Sequence, residues 1–304
     1  MRWLMPLIVA LPALGLLISL AGGASQEVRP PRTVDYVGFG HEQQRLDVYP
    51  AGGEEPAPAV IFVHGGGFRF GGREVARHIV GPFLEAGVTV VSVDYRLVPG
   101  VAFPDNTRDV AAAVNWVFDH ADRLGIDPER VTLMGHSAGS HLVAQVAAER
   151  RWLAAHDREP ASLHGVVLLD SGTYDVADLM ERMRQRGGKH RQWLIGAFGR
   201  DPAGWADGSP GQNVDAPAGW WLAVLADDRD DTAQATADLF EALRAGGAER
   251  LHTIEAEGEN HRRVLRSLGD PDDPELAVIL RAVLEEDDDE DRRPGRRKVL
   301  RVLR

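Results

Sequence analysis

The chain has 304 residues, a formal net charge of −12 and no cysteine. About 280 residues follow the first two dozen, which suits one large α/β domain whose core needs no covalent cross-links. The lack of cysteine excludes a disulfide framework, a thiolate metal site and a cysteine nucleophile. The acidic balance, with an isoelectric point near 5.4, gives no electrostatic reason to approach a phosphate backbone, so nucleic acid is not an expected partner.

The first 24 residues are typical of an export signal. Met1-Arg2-Trp3 precedes an apolar run from Leu4 to Ala21, which is followed by the small residues Gly22-Gly23-Ala24-Ser25. This order matches a positively charged start, a hydrophobic segment and a cleavage site. The apolar run is also long enough to cross a bilayer as a helix. We therefore predict a secreted, periplasmic or cell-surface protein, and the sequence leaves open whether residues 1–24 are removed or kept as a membrane anchor.

Strand and helix patterns then alternate along residues 33–285, the predicted folded domain. Residues 34–37 and 45–49 alternate polar and apolar side chains, as exposed edge strands do, whereas 59–63 and 88–93 are continuously apolar, as strands covered on both faces are. Further strands are predicted at 131–133, 163–169, 221–225 and 251–254, and helices at 109–124, 233–245 and 274–284. This alternation predicts an α/β fold with a doubly wound, mostly parallel sheet.

Two segments lack this pattern. Residues 174–217 contain no clean strand and are rich in arginine, glycine and tryptophan; they form either a small cap or an ordinary crossover connection with one or two surface helices. An acidic run from Glu285 to Asp291 precedes a basic block up to Arg304. Because runs of like charge repel each other and stay solvated, we predict that residues 286–304 are a disordered tail.

Two glycine motifs follow predicted strands. Gly135-His136-Ser137-Ala138-Gly139 lies between the strand at 131–133 and an apolar stretch with helical spacing. This context is typical of a nucleophile elbow, the tight strand-to-helix turn that exposes a serine hydroxyl. His64-Gly65-Gly66-Gly67-Phe68 directly follows the strand at 59–63. A polyglycine loop lets backbone N–H groups approach a developing alkoxide, so it predicts an oxyanion hole, with His64 bracing the loop.

A serine nucleophile needs a base, and the base needs an orienting carboxylate. His261 follows the strand that ends near Glu255, which is the position expected of the base in a serine, acid, histidine chain order. The strand at 221–225 runs into the acidic cluster 227–231. We predict Asp228 as the acid, because Asp230 and Asp231 suit the first turn of the next helix.

The choice of acid has two alternatives. Asp227 lies beside Asp228 in the same cluster. Asp170, at the end of the preceding strand, is a lesser candidate, since an acid at that position also reaches the histidine in some variants of the fold.

With these motifs the chain resembles the α/β-hydrolases of the hormone-sensitive-lipase-like esterases, closest to the feruloyl-esterase and kynurenine-formamidase-like branch. The resemblance implies Ser137 as nucleophile, His261 as base and acid, and Asp228 as orienting carboxylate. It also implies Gly65, Gly66 and Ala138 as oxyanion donors, with no metal or organic cofactor. The acidic cluster departs from the family's usual single aspartate. The segments that show the resemblance are 44–49, 64–68, 92–97, 103–105, 135–139, 260–261 and 267–271.

These residues predict that 33–285 is a catalytic domain. The predicted function is a serine hydrolase that cleaves carboxylic esters of small or aromatic substrates through an acyl-enzyme on Ser137. The alternatives are an amidase or arylformamidase with the same residues, and a catalytically silent ligand-binding member of the fold. The expected partner is a small-molecule ester or amide, and the sequence leaves the oligomeric state open.

Overall fold

The computed structural model describes residues 29–186 and 190–285. The predicted export segment 1–24 and the predicted tail 286–304 lie outside these ranges. Within them, no helix is both long enough and apolar enough to cross a membrane.

The described residues form one eight-stranded sheet with the strand order β1-β2-β4-β3-β5-β6-β7-β8. Strands β1 and β2 are antiparallel to their neighbours, and all the pairs from β4 to β8 are parallel. The predicted doubly wound, mostly parallel sheet is therefore confirmed. The strands are β1 Arg32–Asp35, β2 Arg45–Tyr49, β3 Ala57–Val63, β4 Thr89–Val93, β5 Ile126–His136, β6 Gly165–Leu169, β7 Trp220–Ala226 and β8 Arg250–Ala256.

Helices cover both faces of the sheet. The α-helices are α1 Val80–Glu85, α2 Asp105–Asp119, α3 Ala121–Leu124, α4 Ala138–Ala148, α5 Arg150–Ala154, α6 Val176–Arg186, α7 His190–Phe198, α8 Pro202–Asp207, α9 Asp230–Ala245, α10 Arg263–Arg266 and α11 Pro274–Leu284. The helix predicted at 109–124 starts four residues earlier and is divided at His120 into α2 and α3. Gly125, in the left-handed conformation, ends α3.

Strand β3 shows why its sequence is continuously apolar. Ile61 and Val63 belong to the core formed with α2 and α4, whereas Val60 and Phe62 belong to the core formed with α1 and α11. Successive side chains of a strand point to opposite faces, so a strand between two helical layers must be apolar at every position. All seven residues of β3 are buried.

The described residues of segment 174–217 form three α-helices, α6 to α8, of which α7 packs on the loop after β3. Phe198 of α7 packs edge-to-face against Phe68, with ring centroids 5.2 Å apart, and Trp193 packs similarly against Phe70 at 5.5 Å. The amide of Phe103 also donates to the carbonyl of Ala197 at 2.8 Å. Of the two expectations for this segment, the small cap describes its contacts better than a surface crossover does.

Candidate active site

The predicted site residues lie where parallel strands end. The glycine loop follows β3, Ser137 follows β5, Asp170 follows β6 and His261 comes after β8. The carboxyl ends of parallel strands share one edge of the sheet, so residues far apart in the chain meet there.

The turn at Ser137 is a strained connection from β5 to α4. Ser137 has φ 56° and ψ −119°, a backbone conformation that side chains rarely adopt. Its amide donates to the carbonyl of Leu169 on the neighbouring strand at 2.9 Å. A Cβ at Gly135 would lie 2.5 Å from the backbone of Gly139, and one at Gly139 would collide with the carbonyl of Val63. Both glycines of the motif are therefore required by close packing.

The Ser137 hydroxyl is the first member of a hydrogen-bonded chain. The Nε2 atom of His261 lies 2.9 Å from Ser137 Oγ, and its Nδ1 atom lies 2.5 Å from Asp170 Oδ2. The Asp170 side chain is completely buried, whereas that of His261 is 33% exposed. The three residues have the order needed to activate a hydroxyl, namely nucleophile, base and orienting carboxylate.

The prediction that Asp228 contacts His261 is wrong. Asp228 and Asp227 are both exposed after the end of β7 at Ala226, and the Asp227 carboxylate instead accepts the Gly258 amide at 2.6 Å. Asp170, the lesser candidate, takes this position because β6 is the direct neighbour of β5 in the sheet. The available sequence signal was a lone carboxylate directly after the fully apolar strand Gly165–Leu169.

The surroundings of Asp170 favour its charged form. Burial raises the pKa of this carboxyl, but the hydrogen bond from His261 and the positive charge of Arg229 outweigh burial, so that the pKa is lowered. Its second oxygen, Oδ1, accepts the amide of Ala226 at 3.2 Å. Asp170 also has a positive φ of 41°. A buried carboxylate with these donors is ionised at neutral pH and fixed in orientation.

The glycine loop packs directly on the serine turn. A Cβ at Gly65 would lie 2.9 Å from the Cβ of Ser137 and 2.8 Å from the carbonyl oxygen of His136. Ala138 is the first residue of α4, so its amide has no acceptor within the helix. Gly65 thus packs against Ser137, and Ala138 follows Ser137 directly in the chain. Gly66, with φ 119°, continues the same loop as Gly65.

His64 holds the orientation of this loop. Its Nδ1 donates to the carbonyl of Gly65 at 2.7 Å, and its ring stacks on Tyr95 with centroids 4.5 Å apart. In a planar peptide the C=O and N–H groups point in opposite directions. Anchoring the Gly65 carbonyl therefore also sets the direction of the Gly66 N–H. The sequence prediction that His64 braces the loop agrees with these contacts.

Asp94, directly after β4, forms an ion pair with Arg73 and not with the adjacent Arg96. Its carboxylate contacts the guanidinium of Arg73 and accepts the Arg73 amide at 2.6 Å. Arg96 pairs instead with Asp109 at 2.8 Å. Asp94 also lies 3.9 Å from His64 Nε2, so this partly buried ion pair adjoins the histidine that holds the glycine loop.

His136 supports the loop that contains His261. Its Nε2 donates to the His261 carbonyl at 2.8 Å, and the two rings stack with centroids 4.8 Å apart. Burial, and secondly the charge of His261, lowers the pKa of His136 to about 4. His136 is therefore a neutral hydrogen-bond donor at neutral pH, which suits a structural role.

The described ranges contain no group of three or more histidine, aspartate or glutamate side chains arranged to hold a metal ion.

Comparisons with known proteins identify the family of the chain. The BD-FAE family model matches residues 46–218, more than half of the chain. A kynurenine formamidase of Drosophila melanogaster is 30% identical over 148 residues, which are 48% of this chain and 48% of that protein. The carboxylesterase NlhH of Mycobacterium tuberculosis is 40% identical over 121 residues, 38% of this chain and 36% of that protein. The chain thus spans about half or less of the length of these curated relatives.

Solved structures share the fold over more of the chain. Esterase B of Lactobacillus rhamnosis superposes with a TM-score of 0.68 at 22% identity, covering 86% of this chain and 90% of the other. Carboxyl esterase 2 of Tuber melanosporum gives 0.61 at 25% identity, covering 78% of each chain. With the family match and the shared sheet, the predicted resemblance is confirmed, and the chain belongs to the BD-FAE family of α/β-hydrolase esterases.

Proposed function

We propose that this protein is a serine hydrolase that cleaves carboxylic esters through an acyl-enzyme on Ser137. The observation that carries the proposal is the continuous chain of contacts from Ser137 Oγ to His261, at 2.9 Å, and from His261 to Asp170, at 2.5 Å. The relatives named carboxylesterase and the structural neighbours named esterase support an ester as substrate.

In the acylation step, His261 Nε2 removes the proton of Ser137 Oγ as that oxygen attacks the ester carbonyl carbon. Asp170 holds the proton on His261 Nδ1, so that Nε2 is free to act as base, and it stabilises the imidazolium that forms. The imidazolium then protonates the leaving alkoxide, which departs as an alcohol. The acyl group stays on Ser137 as an ester.

The tetrahedral oxyanion is stabilised by backbone N–H groups. Gly65, Gly66 and Ala138 are the donors in this proposal, because the glycine loop packs against Ser137 and Ala138 starts α4. Such donors are rigid before the reaction, so they need no reorganisation when charge develops. Water activated by His261 attacks the acyl-enzyme in the second half-reaction and releases the carboxylic acid.

The proposed substrates have small or aromatic acyl groups. In the described part of the chain the cap contains three short α-helices, which favours substrates that enter an open site. Phe70, on the glycine loop, is 54% exposed and packs against Trp193 of α7. This aromatic pair offers a surface beside the glycine loop on which an aromatic group can pack.

An arylformamidase is the second candidate, because the relative at 30% identity is named kynurenine formamidase. The same residues serve amide cleavage, with His261 protonating an amine rather than an alkoxide. A panel of esters with graded acyl chains, aromatic acyl esters and an aryl formamide separates the two candidates. Turnover of the formamide well above that of every ester would favour the arylformamidase.

The direct test of the proposal is cleavage of p-nitrophenyl butyrate by Ser137→Ala. We expect activity near the uncatalysed background, because all turnover that depends on the acyl-enzyme is lost. Ser162→Ala is the matched control. Ser162 precedes β6, so it lies at the amino ends of the parallel strands, whereas Ser137 lies at their carboxyl ends. A fluorophosphonate probe must label wild-type Ser137. A protein that binds esters but is not labelled would be a silent binding member of the fold.

We also propose that the protein is exported through residues 1–24. The proposal is supported by the apolar run from Leu4 to Ala21 and the small residues after it. The mass of the protein recovered from its native host distinguishes a cleaved leader from a retained membrane anchor. Retention of the full-length chain in the cytoplasm would contradict export.

A further inference from the structure

The guanidinium of Arg229 touches both members of the buried acid and base pair. Its Nη1 lies 2.9 Å from Asp170 Oδ2 and 2.8 Å from His261 Nδ1. With the 2.5 Å contact between His261 and Asp170, these three atoms form a closed triangle. Asp170 Oδ2 therefore faces two N–H donors, one from an imidazole and one from a permanent cation.

A second set of contacts holds Arg229 in this place. Its Nε lies 3.5 Å from Asp231 Oδ1, and the other oxygen of Asp231 lies 3.0 Å from Nη1 of Arg182 on α6. Arg182 in turn binds Asp178 at 2.7 Å and the carbonyl of Gly172 at 2.5 Å. The Arg229 side chain is only 27% exposed. Arg229 is thus fixed from both sides, which a freely mobile surface arginine is not.

The position of Arg229 lets it compensate the negative charge of the buried Asp170 carboxylate. A completely buried carboxylate is costly unless its charge is compensated. In the proposed reaction His261 is neutral before the proton transfer, so in that state it supplies a hydrogen bond but no charge. Among the described residues that contact the Asp170 carboxylate, Arg229 is the one with a permanent positive charge.

We propose that Arg229 is a positioning residue for the hydrolytic reaction, which holds the Asp170 carboxylate ionised and aimed at His261 Nδ1. This inference rests on the proposed function, since it assigns Arg229 to the same site. Arg229 acts through Asp170 and His261 and does not touch the reacting atoms.

The same contact makes a prediction about pH. A cation 2.8 Å from His261 Nδ1 opposes uptake of a proton by the Asp170 and His261 pair, so its removal moves protonation of the pair to higher pH. The other groups around the pair do not replace this charge: the ring of His136 is neutral above about pH 4, and Asp231 is an anion. The remaining charged residues on the loops after β6, β7 and β8, on α6, on α10 and in the first turn of α9 are Asp175, Asp178, Glu181, Arg182, Arg184, Arg186, Asp227, Asp228, Asp230, Glu257, Glu259, Arg262, Arg263 and Arg266.

The experiment compares Arg229→Met with Arg229→Lys. For Arg229→Met we expect kcat to fall roughly 10- to 100-fold with KM little changed, because the base is misplaced rather than the substrate. We also expect the acid limb of the kcat/KM profile to move to higher pH. Arg229→Lys keeps the charge but not the planar fork, so it should keep the position of the limb and recover part of kcat. Arg184→Met, an exposed arginine of α6 paired with Glu181, is the control.

A readout that does not need turnover completes the test. The proton on His261 Nδ1 gives a downfield NMR signal, which His261→Gln removes and so identifies. Its titration midpoint should move to higher pH in Arg229→Met and stay in place in Arg229→Lys. The inference is overturned if Arg229→Met folds and leaves kcat, the acid limb of the kcat/KM profile and the titration midpoint of the NMR signal unchanged. If the midpoint moves but Ser137 is not labelled by a fluorophosphonate, the proposed function fails, and only the effect of Arg229 on the Asp170 and His261 pair stands.

Discussion

The carboxylate that contacts His261 comes from the strand next to the nucleophile turn. Asp170 follows β6, and its Oδ2 lies 2.5 Å from His261 Nδ1, although four carboxylates follow β7, two in the loop and two in the first turn of α9. The amide of Ser137 binds the carbonyl of Leu169, the residue before Asp170. Ser137 and Asp170 are therefore connected through one backbone hydrogen bond between adjacent strands.

This relationship predicts different effects for two aspartate variants. Asp170→Asn should lower kcat by about 10⁴, because an amide facing Nδ1 no longer favours the tautomer in which Nε2 is the base. Asp228→Asn should leave kcat unchanged, since Asp228 is exposed. Steady-state kinetics with p-nitrophenyl butyrate measure both variants. If Asp228→Asn lost its activity while Asp170→Asn kept it, the orienting acid would be Asp228, as predicted from sequence.

Gly65→Ala should damage the proposed oxyanion site without unfolding the protein. The new Cβ would lie 2.8 Å from the His136 carbonyl and 2.9 Å from the Cβ of Ser137, so the loop must move away from the serine. We expect kcat to fall by about 10² to 10³, the usual effect of losing one oxyanion donor.

The control for this substitution is Gly81→Ala. A Cβ at Gly81, inside α1, meets nothing within 4 Å, and alanine favours a helix over glycine by about 1 kcal/mol. The expected result is full activity and a slightly raised Tm. Equal activity of the two alanine variants would show that the glycine loop does not contribute to the reaction.

His64 variants test whether the loop must be anchored. His64→Ala removes the hydrogen bond to the Gly65 carbonyl and leaves a cavity beside Tyr95, so kcat should fall roughly tenfold or more. The amide nitrogen of His64→Asn can occupy the place of Nδ1, and this variant should recover part of kcat. Comparing kcat with Tm separates the two effects. If both variants lose kcat only in proportion to stability, His64 has a packing role alone.

A pH dependence of stability is expected from Glu149, at the end of α4 and remote from the site. Burial raises the pKa of this carboxyl to about 7, although the neighbouring Arg151, 2.7 Å away, opposes the shift. Its Oε1 has no hydrogen-bond partner within the described part of the chain. The folded pKa is above the ordinary value, so the contribution of Glu149 to stability is present below pH 4.5 and is lost as the pH rises through 7.

Urea unfolding at pH 5 and pH 8 measures this contribution. Between these pH values the free energy of unfolding of the wild type should fall by on the order of 2–3 kcal/mol more than that of Glu149→Gln. This variant resembles the protonated form at every pH. Glu241→Gln, on the exposed face of α9, serves as the control and should follow the wild type. Parallel pH profiles for wild type and Glu149→Gln would contradict the assignment.

The sequence by itself determined the strand and helix alternation and the two glycine motifs. These signals are local: a strand covered on both faces must be apolar at every position, and the tight strand-to-helix turn needs glycine two residues before and two residues after the serine. The position of His261 followed from chain order after the last strand. Each of these predictions depends on neighbouring residues in the chain, and the structure places Ser137 and His261 2.9 Å apart.

Only the tertiary structure decided which carboxylate meets His261 and that Arg229 joins it. Asp170 and His261 are 91 residues apart, and the local sequence favoured Asp228 over Asp170. The choice depends on which strand end lies beside β5 and on whether the side chain there is buried. Asp170 is enclosed between two strands while Asp228 faces solvent, and a buried carboxylate must find its donors within the protein.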